Sequence, residues 1–207
     1  EDVALMAADV LEPILAEHGE WSALVALLER RLELSDDPTA RLSLYDRIAA
    51  LHEEQLGDLE RSYGAAERGL AEFLDAAPLV DRVYRIAELD LWTHLGDRLE
   101  QLVDDADDPI AARNTLVRVA RIREEKIGDV AAAAALWRQV LDADPYDAEG
   151  LDALERLYEQ LAEWGPLVDV LLRKADLPEV ARDATARKSL LFRAATLESL
   201  IRAHREA

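Results

Sequence analysis

Four histidines, His18, His52, His94 and His204, are the side chains of this sequence best suited by type to metal binding or proton transfer near neutral pH. No two of them stand four residues apart and no H-E-x-x-H pair occurs, so their spacing offers no zinc site. His18 and His94 both read as lying one turn from a helix end, where an imidazolium suits the negative end of the helix dipole. The cluster Asp104-Asp105-Ala106-Asp107-Asp108 has carboxylates enough for calcium, but it lacks the alternating spacing, central glycine and closing glutamate of a calcium loop. It reads as a solvated turn with Asp108 capping the next helix. The absence of cysteine removes thiol nucleophiles, thiolate metal sites and disulfides. No G-x-x-x-x-G-K-[ST] loop, G-x-G-x-x-G fingerprint or G-x-S-x-G elbow occurs. Carboxylate pairs are abundant, yet catalysis needs a pocket that shifts their pKa values, and the pattern places them on solvated faces. The expectation is a chain that is not itself an enzyme, with no catalytic residue, no metal and no cofactor.

The bulk charge narrows the partners. With 44 acidic against 24 basic side chains in 207 residues, the net charge of −20 repels phosphate backbones and anionic lipid surfaces. No apolar run reaches the roughly 18 residues of a membrane-spanning helix. Nucleic acid and membrane insertion are therefore not expected, and a protein or peptide partner is. The first residue is Glu1 rather than Met, which reads as a processed product or an excised segment, so no compartment is legible.

The elements that position all of these residues are helices. Apolar residues recur at helical spacing almost throughout, as in Leu24, Leu27, Leu28, Leu32 and Leu34, and no strand pattern interrupts them. Asp37-Pro38 and Asp108-Pro109 mark helix starts, because Asp accepts free amide protons and Pro fits the first helical position. Gly57-Asp58, Gly96-Asp97 and Gly128-Asp129 read as turns between helices, with Gly19-Glu20-Trp21 and Ala162-Glu163-Trp164 as variants. These signals predict about eleven helices: 2–18, 21–34, 38–56, 58–75, 79–95, 97–105, 109–127, 129–143, 147–161, 164–175 and 179–204. Pro13 falls inside the first pattern and predicts a kink or a later start.

A longer period underlies the turns. Residues 36–58 align without gaps on residues 107–129, an offset of about 71, matching Ala40/Ala111, Arg47/Arg118 and Ala49/Ala120. A weaker third copy includes Ala186, Arg193 and Ala195, and Ser22-Ala23-Leu24-Val25 matches Gly165-Pro166-Leu167-Val168. Two hairpin types therefore alternate, and the physical unit is a pair of hairpins.

The stretch from Ile127-Gly128-Asp129 to Asp144-Pro145, continuing through Leu151, Leu154 and Tyr158, resembles the tetratricopeptide repeat. Ala49, Ala120 and Ala195 occupy the close-packing position of that family in alternate hairpins, whereas Glu12, Glu88 and Glu155 stand there in the others. The resemblance implies an all-α fold, one right-handed α-α superhelix over residues 1–207, with the first helix of each hairpin lining a concave face. In that register the concave face presents Arg82, Arg85 and Trp92 from the fifth helix, Val117 and Arg121 from the seventh, and Asp152 and Arg156 from the ninth. These seven are the candidate partner-binding residues, with the alternative that Trp92 is capped and the arginines pair with neighbouring acids. The implied role is a scaffold holding a partner segment. A recruiting arm of a larger enzyme and a self-assembly module are the other readings.

The last helix carries Leu190, Leu191, Ala194, Leu197, Leu200 and Ile201 with no later helix in the sequence to cover them. The expectation is that the native protein continues, or that this face pairs with another copy as a homodimer.

Overall fold

The structure, a computed structural model, describes the backbone of residues 2–206 and the side chains of residues 8–204; Glu1 and Ala207 lie outside the described residues. The fold is all-α: among the described residues there are twelve α-helices, one π-helical segment and no strand. No helix among them is long and apolar enough to cross a membrane. The chain divides into two compact units, Glu1–Leu91 and Trp92–Ala207.

The first unit holds α1 (Asp2–Glu17), α2 (Trp21–Leu34), α3 (Pro38–Glu54), α4 (Leu59–Glu72) and α5 (Ala77–Ala87). Each packs on the next in sequence, and α3 also touches α5. The second unit holds α6 (Trp92–Asp104), α7 (Pro109–Arg121) with its π-helical continuation Ile122–Ile127, and α8 (Val130–Ala143). It continues with α9 (Ala148–Leu161), α10 (Trp164–Ala175), α11 (Pro178–Arg182) and α12 (Ala184–Glu206). Here too each helix packs on its predecessor, except that α12 packs on α10 as well as on the short α11.

A four-helix repeat, the structural counterpart of the sequence offset, organises both units. Trp21 and Trp92 open α2 and α6 at that offset, and Trp164 opens α10 in the same way. Leu24, Val25 and Leu28 of α2 are buried, as are Leu95, Gly96 and Leu99 of α6 and Leu167, Val168 and Leu171 of α10. The same six positions are buried in α4 and α8: Ser62, Tyr63, Ala65, Ala66, Gly69 and Leu70 in one, Ala133, Ala134, Leu136, Trp137, Val140 and Leu141 in the other. Backbone signals repeat as well. Asp58 and Asp129 accept the amides of Arg61 and Ala132, each at 3.0 Å, and Gly57 and Gly128 precede them at φ 64° and 79°. Gly19, Asp90 and Ala162 are the matching left-handed residues ahead of the Trp-led helices. Glycine suits this conformation because a Cβ crowds the next carbonyl there, and Asp tolerates it through its short polar side chain.

Asp90 explains a correction. Gly96-Asp97 is not a turn: it lies inside α6, with Gly96 buried, and the fifth helix ends at Ala87. The break falls at residues 88–91, where Asp90 supplies the positive φ expected of a glycine. Three expectations shift with it. Trp92 belongs to α6, not to the fifth helix. His94 lies in the first turn of α6, not near a C-terminus. Glu12 and Glu155 share a register in which Tyr84, not Glu88, stands between them. The eleventh expected helix is two, α11 and α12, because Asp183 breaks the chain and caps α12 through the Thr185 and Ala186 amides at 2.9 and 3.1 Å. Helix α1 runs through Pro13.

Sizes are exchanged between the repeats. A Cβ on Gly69 would meet Leu79 Cδ1 at 2.5 Å and Tyr45 at 3.0 Å, so α4 approaches α3 and α5 only as glycine. In the second repeat Val140 stands at that position, opposite the smaller Leu116, and Gly150 replaces Leu79. One position carries a removable defect. The Ser62 hydroxyl is fully buried and bonds nothing, whereas its counterpart Ala133 has no polar atom to bury. Ser62→Ala is expected to raise stability by about 1 kcal/mol in urea titrations, since an unmade buried hydrogen bond is removed and helix propensity improves.

Candidate functional site

Within each unit the odd-numbered helices are tied across their shared face by ion pairs. In the first unit Glu12 of α1 pairs with Arg47 of α3, and Arg82 of α5 pairs with Glu53 and with Asp46 at 3.1 Å. Arg85 also reaches Glu53, at 2.8 and 3.0 Å. In the second unit Arg121 of α7 donates to Glu149 of α9 at 2.9 Å, and Arg156 of α9 pairs with Glu124 at 3.0 Å. Glu155 of α9 accepts from Lys174 of α10 at 2.5 Å and from Arg193 of α12. Glu12 repeats this role, accepting from Arg31 at 2.5 Å and from Arg47.

The seven candidate binding residues find their places on this framework. Arg82 is 8% exposed and held between α3 and α5, and Val117 is buried in α7. Arg85 shares Glu53 with Arg82, Arg121 and Arg156 are engaged between α7 and α9, and Asp152 meets Lys174 at 2.5 Å. Trp92 carries the Lys126 ammonium 4.6 Å from its ring centroid, a cation–π contact. Arg82 and Arg85 belong to the first unit and the other five to the second. The acidic run ends as expected in a cap, Asp108 accepting the Ile110 amide at 2.9 Å.

Burial and these pairs shift several titrations. The Arg85 hydrogen bond, with Arg82 behind it, holds the Glu53 carboxyl below its usual value despite burial, and Arg41 does the same for Glu72. Burial pushes Glu155 up, but Lys174 and Arg193 together outweigh it and the net shift is down. Burial lowers His52. Each group is thus harder to protonate folded than unfolded, so acid favours the unfolded chain. The stability they contribute is complete above the unfolded values, 6.5 for His52 and 4.5 for the glutamates, and is lost as pH falls below them. Thermal melts by circular dichroism are expected to show a shallow loss below about pH 6.5 and a steep one below about 4.5. Protonation also relieves the −20 self-repulsion, so the informative comparison is with Glu155→Gln, whose acid limb is expected to be flatter than wild type.

One further surface, visible in the sequence only in outline, is apolar. On α12, Ala194 is buried against the unit, while Leu191, Phe192 and Leu200 are 40, 72 and 62% exposed. A cleft of about 660 Å³ opens between the start of α10 and the second half of α12, lined by Trp164, Gly165, Leu197, Leu200, Ile201 and His204. Ile201 aligns with Lys126, the residue over Trp92 in the preceding repeat, and Trp164 is 44% exposed. A polar recess of about 520 Å³ on α8 to α10 carries Arg138 and Arg173 balanced by Asp142 and Asp169. Among the described residues no group of three or more His, Asp or Glu side chains is gathered to hold a metal.

No protein-family model matches this chain, and no curated protein matches it. The residues and their geometry alone therefore carry the functional reading.

Proposed function

We propose that this chain is a protein-interaction scaffold: a helical-repeat array of the tetratricopeptide kind, superhelical as that resemblance implies, with α12 as its main docking element. The observation that carries the reading is the set of exposed apolar side chains on α12. In a chain where 33% of residues are charged, α12 leaves large apolar side chains open to water on more than one side: Leu200 at the Trp164 cleft, and Leu191 and Phe192 away from it. Such patches mark protein contacts, because desolvating them drives association. Charged side chains in each unit, Arg85 in the first and Arg121 with Arg156 in the second, support the same reading. Arg85, Arg121 and Arg156 are about half exposed although paired, and exposed ion pairs contribute little to stability, so a partner carboxylate can take their place.

Two variants separate the surfaces in pull-downs from native lysate. Leu200→Glu alters the α12 side at a position too exposed to unfold the helix, and Trp92→Ala with Arg121→Ala alters the charged side. The expected result is a set of proteins retained by wild type and lost from Leu200→Glu at unchanged helicity and melting temperature. Identical sets from wild type, both variants and a third, Leu191→Glu, would remove the scaffold reading.

A further inference from the structure

We propose that the face of α12 bearing Arg187, Leu191 and Ala195 docks a helix of a partner protein with the chemistry of α4 and α8: amphipathic, lined with small residues, and ending in a carboxylate. This deepens the scaffold reading and rests on it.

Helix α12 is the third copy of α3 and α7. Asp37, Asp108 and Asp183 cap the three helices through the amides two residues on, and Ala49, Ala120 and Ala195 follow each cap at the same distance. In the first two copies the next helix covers this face, α4 on α3 and α8 on α7. Tyr45 and Leu116 are accordingly 6 and 8% exposed, whereas Leu191 at the same position is 40% exposed. Ala49 and Ala120 are buried, and Ala195 is exposed. The face is built as in the covered copies, and no described helix lies on it.

Charge selects the occupant. Arg41 of α3 grips Glu72 at the end of α4 with two hydrogen bonds, at 2.7 and 2.5 Å. In the second repeat both partners are absent together, Ala112 and Ala143 taking their places. Helix α12 restores the arginine as Arg187, which makes one bond of 3.3 Å to Asp176. A guanidinium so placed fits a carboxylate in the position of Glu72. The surroundings favour the same sign: residues 184–204 carry four basic side chains and one acidic, in a chain of net charge −20. Size selects too. Tyr45 demands Gly69 opposite it and Leu116 accepts Val140, so Leu191 calls for a residue of valine size.

The probe is a helix-stabilised peptide of residues 58–73 carrying Gly69→Val, labelled and titrated onto the full chain by fluorescence anisotropy. Saturable binding is expected, weakened about tenfold or more by Glu72→Gln in the peptide or Arg187→Glu in the protein, as loss of a charge-assisted pair implies. Combining Arg187→Glu with a Glu72→Arg peptide is expected to recover most of the loss, and Leu191→Glu to abolish binding. Absence of binding up to about 1 mM peptide, or binding indifferent to Arg187 and Leu191, overturns the proposal. Sedimentation showing self-association that Leu191→Glu abolishes overturns it in favour of a second copy. Lysate partners lost from Leu200→Glu with no peptide binding sink this proposal and spare the scaffold reading; peptide binding that Leu191→Glu abolishes and Leu200→Glu leaves intact supports it.

Discussion

Trp137→Ala is expected to destabilise the chain by about 3–5 kcal/mol, a large fraction of what a folded chain has to lose. Trp137 lies in α8 at 1% exposure, the largest fully buried side chain among those described. Its indole N–H has no hydrogen-bond partner, so the loss is one of packing and leaves no new polar orphan. The matching position in α4 is Ala66, also fully buried, which shows that the two repeats fill their cores differently around one backbone plan. Alanine at 137 leaves a cavity that neighbours already seated in close contact cannot collapse to fill. Urea titration followed by helicity measures the effect, and the corresponding fall in melting temperature is about 6–20 °C for a chain of this size. Trp137→Phe keeps most of the volume and is expected to cost well under half as much. A loss below about 1 kcal/mol for Trp137→Ala would show that the second unit is loosely packed.

Glu155→Leu is expected to cost about 2–4 kcal/mol, because it takes from two part-buried cations the carboxylate they share. Its carboxylate, with the side chain 16% exposed, is shared between Lys174 at 2.5 Å and Arg193, whose side chains are 15 and 37% exposed. Asp152 and Glu159 remain to hold the two cations, which keeps the cost toward the lower end. The diagnostic is a double-mutant cycle. Removing Glu155 alone leaves a part-buried Lys174 with one carboxylate fewer, whereas Glu155→Leu with Lys174→Met removes charge from both sides. The double variant is expected to recover at least half of the single variant's loss in urea titrations. Additive losses would mean that Glu155 and Lys174 act independently. Glu12 provides the internal control, since it holds Arg31 and Arg47 in the same arrangement near the start of the chain.

The helices and their period were legible because both rest on local chemistry. Asp37-Pro38 and Asp108-Pro109 carry a cap and a fixed φ, and the structure starts α3 and α7 at those prolines. The offset between residues 36–58 and 107–129 is the spacing at which burial, caps and left-handed residues recur. The Gly96 turn misled for a physical reason. Glycine permits a positive φ but does not require one, and Asp90 adopted it instead. Trp21 and Trp92, separated by that same offset, were the signal that could have corrected the phase. Asp183, aligned with Asp37 and Asp108, was the matching signal for the break before α12.

The candidate site was less legible. Helical spacing places Arg82, Arg121 and Arg156 on a face, but it does not say what stands opposite each of them. Their partners Glu53, Glu149 and Glu124 sit two helices away in the chain, and only the packing of alternate helices brings them within hydrogen-bond reach. The exposure of α12 is of the same kind. Its Leu and Ala positions match those of α3 and α7, and no local rule distinguishes a covered copy from an open one.

The amino-acid order by itself determined an acidic, cysteine-free, all-helical chain whose hairpins recur in pairs, because caps, turns and apolar spacing act between near neighbours. Tertiary structure decided which charges neutralise one another, which side chains Trp92 and Trp164 meet, and which copy of the repeated helix is left open. Those outcomes depend on distances between residues far apart in the chain, and such distances exist only once the helices have packed.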